Sequence, residues 1–236
     1  MLDYIAETGS TNADLLTRIA ANEAVHEGDW LVADRQSAGR GRQSREWHDG
    51  LGNFMGSTIV RRGAGDPPAP SLALVAGLAV YEAVRPVLPP HPGLALKWPN
   101  DLMVGEAKLA GILLEGTANA VVVGIGVNLV HAPALTDRRT AALSQFGPAP
   151  GRDHFAESLA EQFATELTRW RSHGLELLTR RWQAAAHPLG TRLTVSEPGE
   201  GAIRGTFAGL ASDGSLMLGL EDGSVRAIHA GDVNLV

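Results

Sequence analysis

The chain has 236 residues, of which 44% are hydrophobic and 19% charged, and this is the composition of a folded globular protein long enough to bury a core. Its formal net charge of −6 argues against general nucleic-acid binding, which requires a basic surface. The absence of cysteine excludes disulfides, thiolate nucleophiles and cysteine-ligated zinc.

The first part of the chain alternates helices and strands. A helix is predicted to begin near Ser10, because a serine or threonine hydroxyl can cap the exposed amides of a first turn. Two buried strands are predicted over 30–33 and 54–60, and a buried helix over 71–84. Residues 34–52 are rich in Gly, Arg and Ser, so we expect an irregular loop that is either functional or disordered.

Three apolar segments follow, and we expect them to be central strands of one sheet: residues 94–98, 109–115 and 121–129. Turn chemistry at residues 104–107 predicts a hairpin, and helices are predicted over 155–170 and 175–185. From the sequence, no apolar run reaches the length that spans a membrane, and the first residues lack the features of a secretion signal. We therefore expect a cytoplasmic location and no membrane partner.

The character of the sequence changes at residues 187–190, where His-Pro-Leu-Gly marks a boundary. Beyond it, short alternating strands are separated by Ser212-Asp213-Gly214 and Glu221-Asp222-Gly223, which predicts a small all-β barrel or sandwich. The chain is therefore expected to consist of two domains, residues 1–187 and residues 188–236.

An arginine-rich loop is the most informative stretch. Four arginines lie within residues 35–45 of this acidic chain, and arginine offers a rigid fork suited to phosphate and carboxylate. Gly39 and Gly41 allow close approach of the backbone to a ligand, and Trp47 could stack on an adenine. From these residues alone, a solvated flexible loop is an equally good interpretation.

Two further motifs place polar groups at strand ends. In Lys97-Trp98-Pro99-Asn100-Asp101, Asp101 could hold a magnesium ion and Asn100 could bond a ligand. Lys108 opens the next strand and could direct positive charge at a reacting phosphate. Without further information, a plain turn and an outward-pointing lysine are the simpler interpretations.

Gly124 and Gly126 interrupt an apolar strand, and glycine in a strand often marks close approach of a ligand. The dinucleotide pattern Gly-x-Gly-x-x-Gly is incomplete because its last position is Leu129, and no Gly-Lys-Ser/Thr phosphate loop is present. ATP would need a different cradle. The segment Ser10-Thr11-Asn12 could cap a helix, contact a ligand, or do both.

Taken in order, these motifs resemble the catalytic core of biotin–protein ligases across almost the whole chain. They are Gly9-Ser10-Thr11-Asn12, Gln36-Ser37-Ala38-Gly39-Arg40-Gly41-Arg42 with Trp47, Lys97-Trp98-Pro99-Asn100-Asp101, Lys108-Leu109-Ala110-Gly111-Ile112-Leu113 and Gly124-Ile125-Gly126-Val127-Asn128. The resemblance implies an α+β fold: a mixed β-sheet flanked by helices, related to class II aminoacyl-tRNA synthetases and lipoate ligases, with a small C-terminal SH3-like β-barrel. It is closest to the type without an N-terminal DNA-binding domain, which implies no DNA partner.

The resemblance implies a ligase that works in two steps. Biotin and ATP, with Mg²⁺, give biotinyl-5'-AMP and pyrophosphate, and a lysine of a biotin carboxyl carrier protein of the acetyl-CoA carboxylase type then attacks the mixed anhydride. ATP and biotin are substrates, so no permanently bound cofactor is expected. Family members are often dimers, so a homodimer is compatible with the resemblance, but the sequence does not give the oligomeric state.

Carried over residue by residue, the resemblance implies catalytic roles for Lys108, Arg40 and Arg42. The implied biotin site consists of Ser10, Thr11, Asn12, Gln36, Gly39, Arg40, Lys108, Gly111, Gly124 and Gly126. The implied nucleotide site consists of Arg42, Arg45, Trp47, Lys97, Asn100, Asp101, Lys108 and Asn128, with Asp101 as the expected Mg²⁺ ligand.

The chain departs from the family pattern in the arginine-rich loop. Many members have a further glycine where this chain has Gln43-Ser44, and His48 stands where a proline is usual. Two other functions remain open. One is a lipoate or octanoate ligase of the same fold, and the other is a regulator that binds biotin or nucleotide without catalysis.

Overall fold

The computed structural model describes residues 1–89, 93–197 and 201–236. Its larger part is built on a seven-stranded sheet with the order β1-β2-β3-β7-β6-β5-β4. Strands β1 and β2 are parallel, and every other neighbouring pair is antiparallel, so the predicted mixed sheet is confirmed. The strands are β1 (Leu2–Thr8), β2 (Trp30–Gln36), β3 (Phe54–Arg61), β4 (Leu94–Lys97), β5 (Asp101–Val104), β6 (Ala107–Gly116) and β7 (Ala120–Val127).

Helices cover the two faces of this sheet unequally. On one face, α2 (Leu72–Val84) is buried on nearly all sides because it lies between the sheet and α3 (Arg152–Ala184). The indole of Trp170 in α3 is buried there and donates to the Ser71 hydroxyl at 2.8 Å. On the other face, α1 (Thr11–Ala20) packs against β3 and β7 over a small apolar cluster. The remainder of that second face is open to a ligand.

The C-terminal domain is a five-stranded antiparallel sheet in the order β11-β10-β9-β8-β12. Its inward side chains are buried, and they include Val195, Phe207 and Leu218. This is consistent with an SH3-like domain, although in the described residues no ladder joins β11 to β12, so a closed barrel is not seen. The strands are β8 (Arg192–Ser196), β9 (Ala202–Leu210), β10 (Leu216–Gly219), β11 (Val225–Ile228) and β12 (Asp232–Leu235).

Two strand predictions differ from the structure. Strand β1 is not predicted by the sequence because it lies at the sheet edge and only partly buries its side chains, so its apolar alternation is weak. The expectation that residues 94–98 form a central strand is wrong, since β4 is the opposite edge strand. Its side chains are nevertheless apolar because the end of α3 covers that edge, with the Leu96 amide donating to the Ala185 carbonyl at 2.8 Å.

Helical segments also differ in detail from the predictions. The two predicted helices over 155–170 and 175–185 form α3, which is interrupted at Gly174 by a positive φ of 65°. In the predicted irregular loop, β2 extends to Gln36 and Arg42–Ser44 form one turn of 3₁₀ helix. In the described residues, one stretch, Ala69–Val87, does have the length and apolar character of a membrane span, contrary to the sequence-based expectation. However, 61% of its most apolar window is buried within the protein, as in a core helix.

Candidate active site

A cavity of about 930 Å³ lies on the open part of the sheet, between the arginine-rich loop and β12 of the C-terminal domain. The fold brings nearly all the predicted site residues to its walls: Ser10, Thr11, Asn12, Gln36, Arg40, Arg42, Arg45, Trp47, Lys97, Asn100, Asp101, Lys108, Gly111, Gly124, Gly126 and Asn128. The exception is Gly39, which does not line the cavity. It serves the loop itself, because its carbonyl accepts from the Trp47 amide at 3.0 Å and a Cβ there would overlap the Trp47 carbonyl.

Glycines on β6 and β7 form a flat cavity floor. Gly111 and Gly126 are directly paired across the two strands, and Gly124 pairs with Leu113. A Cβ on Gly126 would overlap the Trp47 ring, and one on Gly124 would overlap the Asn12 amide. The missing side chains therefore let a ligand, or the loop, lie directly on the backbone of the sheet.

A buried polar network closes one end of this floor, which we call the head-group end. The Thr11 amide and hydroxyl donate to Gln36 Oε1 at 2.8 and 3.1 Å, and the Thr11 and Ser57 hydroxyls are 2.6 Å apart. Ser57 in turn donates to Asn12 Oδ1 at 2.6 Å. Ser10 is also buried, and although it occupies the N-cap position of α1, its side chain makes no capping bond. Capping therefore does not account for the polar side chains of this segment.

The opposite end of the floor, the cationic end, is organised around Asp101. Its carboxylate is 2.5 Å from Lys108 Nζ and 3.1 Å from Lys97 Nζ. Burial raises the pKa of the Asp101 carboxyl, but the ammonium groups of Lys108 and Lys97 outweigh this effect, so its pKa lies below the ordinary value. Both lysines are thus held inside the cavity by a charged partner, contrary to the interpretation of Lys108 as an outward-pointing lysine.

The arginine-rich loop reaches the cationic end through Arg42 and Arg45. Arg42 donates to Asn100 Oδ1 and to the Gly231 carbonyl, both at 3.1 Å. Arg45 forms an ion pair with Asp232 at the start of β12. The loop is therefore fastened to the C-terminal domain. The Asn100 side chain is itself held in place, because its Nδ2 donates to the Ile112 carbonyl at 2.6 Å.

Arg40 lies apart from Arg42 and Arg45, although the resemblance implies a catalytic role for it beside Lys108 and Arg42. Its guanidinium is 3.2 Å from Glu115 Oε2, and Asn12 Nδ2 donates to the same oxygen at 2.8 Å. Glu115 pairs with Val122 on β7, several residues along β6 from Lys108. The structure therefore places the Arg40 side chain at the head-group end and not beside Lys108.

Trp47 covers the glycine floor between the two ends. Its ring centroid is 5.8 Å from Lys108 Nζ, within range of a cation–π contact. Its indole Nε1 is buried and has no hydrogen-bond partner in the described part of the chain. The loop beneath this arrangement is strained, because Gln43 and Ser44 adopt φ values of 53° and 58°, which suit glycine best. Gln43 and Ser44 stand where the sequence resemblance predicts a further glycine.

Asn128 lines the cavity, but its side chain has a structural contact. Its Nδ2 donates to the Ala141 carbonyl at 3.0 Å, which ties the segment after β7 to the end of that strand. Among the described residues, no group of three or more His, Cys, Asp or Glu side chains is arranged around a common metal position.

Ser57, Glu115 and Asp232 are site residues that the sequence does not single out. The sequence did contain an indication of Ser57 as a site residue, because it is a polar residue in the apolar segment 54–60. Asp232 lies far along the chain, and Glu115 ends an apolar run and reaches the site only through its contacts with Arg40 and Asn12, so neither could be assigned to the site before the fold was known.

Comparisons with known proteins agree with this geometry. The model of the Biotin/lipoate A/B protein ligase family matches residues 5–129, and that of the Biotin protein ligase C terminal domain matches residues 189–236. The chain is 36% identical to a protein named biotin–[acetyl-CoA-carboxylase] ligase from Mycobacterium tuberculosis, over 98% of this chain and 88% of that one. It is also 36% identical to a protein of that name from Paracoccus denitrificans, over 91% and 92% of the two chains. Among solved structures, it resembles a biotin protein ligase from Aquifex aeolicus in complex with biotin and ATP, with a TM-score of 0.85, 28% identity and coverage of 100% and 98%.

Proposed function

Because the chain belongs to the Biotin/lipoate A/B protein ligase family, we propose that it is an ATP-dependent biotin–protein ligase. In this function it activates biotin as biotinyl-5'-AMP and transfers the biotinyl group to a lysine of a biotin carboxyl carrier protein. The observation that carries the proposal is the layout of one cavity. A glycine floor joins a buried polar end to an end lined by Lys97, Lys108 and Arg42.

The polar end supports biotin over lipoate. The head group of biotin is a cyclic urea with one carbonyl acceptor and two N–H donors, which match the buried hydroxyl and amide groups of Thr11, Ser57 and Gln36. A dithiolane ring would leave those polar groups without partners, and each unsatisfied buried group costs about 1–3 kcal/mol. A site built around hydrogen bonds therefore rejects the apolar ligand.

The cationic end supports adenylation. An oxygen of the biotin carboxylate attacks the α-phosphorus of ATP, and the bond to the β-phosphate oxygen breaks, releasing pyrophosphate. Two anions must approach each other, so fixed positive charge lowers the barrier. Lys108 would bridge the carboxylate and the α-phosphate, while Arg42 and Arg45 would bind phosphates. Magnesium arrives with ATP as part of the substrate, and Asp101, which is now paired with Lys97 and Lys108, is the carboxylate that would meet it.

In the second step, a lysine amine of the carrier attacks the carbonyl carbon of the mixed anhydride, an amide forms and AMP leaves. Water competes for the same carbon, so Trp47 and the loop that carries it would shield the adenylate. The names of the relatives support a carrier domain of acetyl-CoA carboxylase as the acceptor. A cytoplasmic location, a homodimer and the absence of DNA and membrane partners stay predictions.

The test is to incubate the protein with ATP, Mg²⁺, biotin and a carrier domain, and to measure the intact mass of the carrier. We expect one added biotinyl group with biotin and none with lipoate in its place. Addition of lipoate alone would replace the proposal with a lipoate ligase, and binding without transfer would indicate a regulator.

Lys108→Ala should lower the rate of pyrophosphate release by about 100-fold or more, because removal of one stabilising group at a developing charge typically costs this much. Arg180→Ala, on the exposed side of α3, is the matched loss of a cation and should leave the rate unchanged. A Lys108→Ala variant that is folded by circular dichroism and retains full activity would contradict the assigned role.

A further inference from the structure

One wall of the cavity is formed by a segment to which the proposed reaction gives no role. Residues 130–140 follow β7 and contain none of the motifs that carry the resemblance, yet the segment lines the cavity at several positions between Pro133 and Thr140. Two adjacent cations, Arg138 and Arg139, are among these positions. The wall therefore has the charge that an anionic substrate requires, and its place in the fold decides which part of the substrates it can meet.

The end of this segment is fixed beside Lys108. The Lys108 amide donates to the Arg139 carbonyl, and the Ala141 amide donates to the Lys108 carbonyl, each at 2.9 Å. These bonds form a parallel bridge between Lys108 and Thr140. The ladder between β6 and β7 reaches only as far as Ala110, so the segment takes the place of β7 next to the lysine.

The direction of the bridge places Arg138 beyond Lys108. Because the bridge is parallel, the residues before Thr140 run alongside the residues before Lys108. The head-group end lies in the other direction along β6, toward Gly111 and Glu115. In phosphoryl transfer the attacking and leaving oxygens are roughly in line across the phosphorus. With the biotin carboxylate and the α-phosphate meeting at Lys108, the leaving pyrophosphate therefore extends away from the head-group end, toward Arg138.

The two arginines of the segment have different surroundings. The Arg139 side chain is 77% exposed and pairs with Glu106 at 2.6 Å, so it faces solvent. The Arg138 side chain is 32% exposed, and its ion-pair partner at 2.6 Å is the preceding residue, Asp137, which is 60% exposed. Arg138 is thus the more enclosed cation, and its partner is a carboxylate that water can solvate when a phosphate takes its place.

Arg138 also lies within electrostatic reach of the cationic end. The hydrogen bond to Asp137 raises the pKa of Arg138, burial opposes this, and the charges of Asp137, Asp101 and Asp232 add to the increase. Asp101 is the carboxylate that holds Lys97 and Lys108. The guanidinium of Arg138 therefore adds to the positive charge that these lysines provide.

We propose that Arg138 is a further catalytic residue, which binds the β- and γ-phosphates of ATP and stabilises the charge on the leaving pyrophosphate. The inference rests on the proposed function and deepens it. As the biotin carboxylate oxygen bonds to the α-phosphorus, the bond from that phosphorus to the bridging oxygen of the β-phosphate breaks, and its electron pair stays on pyrophosphate. A guanidinium offers this group a permanently charged fork of donors. Asp137 occupies the fork until ATP binds.

The experiment separates the two half-reactions, because pyrophosphate takes part only in the first. The first is followed as biotin-dependent exchange of labelled pyrophosphate into ATP, and the second as transfer from preformed biotinyl-5'-AMP to a carrier domain. Arg138→Gln should raise the KM for pyrophosphate and for ATP by about tenfold or more, because it removes charge-assisted hydrogen bonds. The KM for biotin and the rate of transfer from preformed adenylate should stay within about twofold of wild type.

Two neighbouring substitutions make the result specific. Arg139→Gln removes the adjacent cation that faces solvent, and the KM for pyrophosphate should stay within about twofold of wild type. Asp137→Asn removes the carboxylate that competes for Arg138, so it should lower the KM for pyrophosphate by about two- to fivefold. Opposite effects of Arg138→Gln and Asp137→Asn would not arise from a general disturbance of the segment.

An unchanged KM for pyrophosphate in a folded Arg138→Gln variant would overturn the inference, and so would an equal rise in Arg139→Gln. Slower transfer from preformed adenylate in Arg138→Gln would also overturn it, because the side chain would then act on the adenylate and not on pyrophosphate. If Arg138→Gln does not fold, Asp137→Asn decides, and a KM for pyrophosphate that is unchanged or raised is the contrary result. Failure of the proposed function has a different signature, because wild-type protein would then show no biotin-dependent exchange.

Discussion

Gly126 lies at the centre of the cavity floor, where a Cβ would overlap the Trp47 ring. Gly126→Ala should therefore push both the ligand and the covering indole off the sheet, and we expect kcat/KM for biotin to fall by about tenfold or more. Gly116→Ala at the end of β6 is the control, since no atom lies within 4 Å of its added Cβ. Equal activity of the two variants in a steady-state biotinylation assay would contradict this account of the floor.

At the residue scale, the motif residues could be predicted because their chemistry stands out locally. Arg42 and Arg45 are cations in an acidic chain, and Gly124 and Gly126 interrupt an apolar strand. The partners of these residues could not be predicted, because they depend on packing. Arg40 pairs with Glu115 and does not reach the cationic end. This pairing follows from the path of the loop, which no local sequence pattern predicts.

Between elements, the arginine-rich loop is tied to the C-terminal domain at the start of β12. Asp232→Asn should weaken the ion pair with Arg45 while leaving the Arg42 bond to the Gly231 carbonyl. Since both partners are partly exposed, about 1 kcal/mol is at stake, and we expect biotinyl-5'-AMP to escape about two- to fivefold faster. The measurement is the dissociation rate of preformed adenylate. An unchanged rate would contradict a role of the ion pair between Arg45 and Asp232 in retaining the adenylate.

Glu221→Gln is the matched control for Asp232→Asn, because it removes a carboxylate from an exposed turn of the same sheet. It should leave the escape rate unaltered. A similar increase in both variants would point to the overall charge of the C-terminal domain and not to the contact between Asp232 and Arg45.

His187 lies between α3 and β8 and gives this junction a pH dependence. Burial, and secondarily the charge of Lys97, lower the pKa of His187 below 6.5, and its Nε2 is buried without a hydrogen-bond partner among the described residues. As pH falls, the His187 imidazole is protonated in the unfolded chain before it is protonated in the folded protein. The free energy of unfolding therefore keeps its full value above about pH 6.5 and decreases as pH falls from there through the folded-state pKa. Between pH 7.5 and 5, the Tm of wild type should drop more than that of His187→Gln, and parallel curves would contradict this.

At the element scale, the sequence predicts long buried elements well and edges poorly. The strand over 54–60 and the helix over 71–84 bury most of their side chains, so their apolar patterns are strong. Strand β1 buries little, and β4 takes its apolar character from the end of α3 that covers it, so their places in the sheet depend on contacts distant in sequence.

For the molecule as a whole, the sequence contains two lysines and 18 arginines, and both lysines lie in the cavity. Lys97 and Lys108 are 16% and 17% exposed and are paired with Asp101. An acyl-adenylate is attacked by free amines, whereas a guanidinium keeps its proton and is a poor nucleophile. The protein surface outside the cavity therefore carries no lysine that biotinyl-5'-AMP, the product of the first step, could acylate.

We therefore expect the protein to gain no biotinyl group on a lysine when it is incubated with ATP, Mg²⁺ and biotin in the absence of a carrier, so that the α-amine of Met1, whose side chain is 79% exposed, is the remaining amine that could react. Arg139→Lys should gain a biotinyl group, because this residue lies at the cavity and is 77% exposed. Arg180→Lys, which places the same new amine on α3 across the sheet from the cavity, should gain far less. Intact mass followed by peptide mapping distinguishes these outcomes. Equal labelling of the two variants would show that the adenylate reacts after diffusing away, and lysine labelling of the unaltered chain would show that pairing with Asp101 does not protect Lys97 and Lys108.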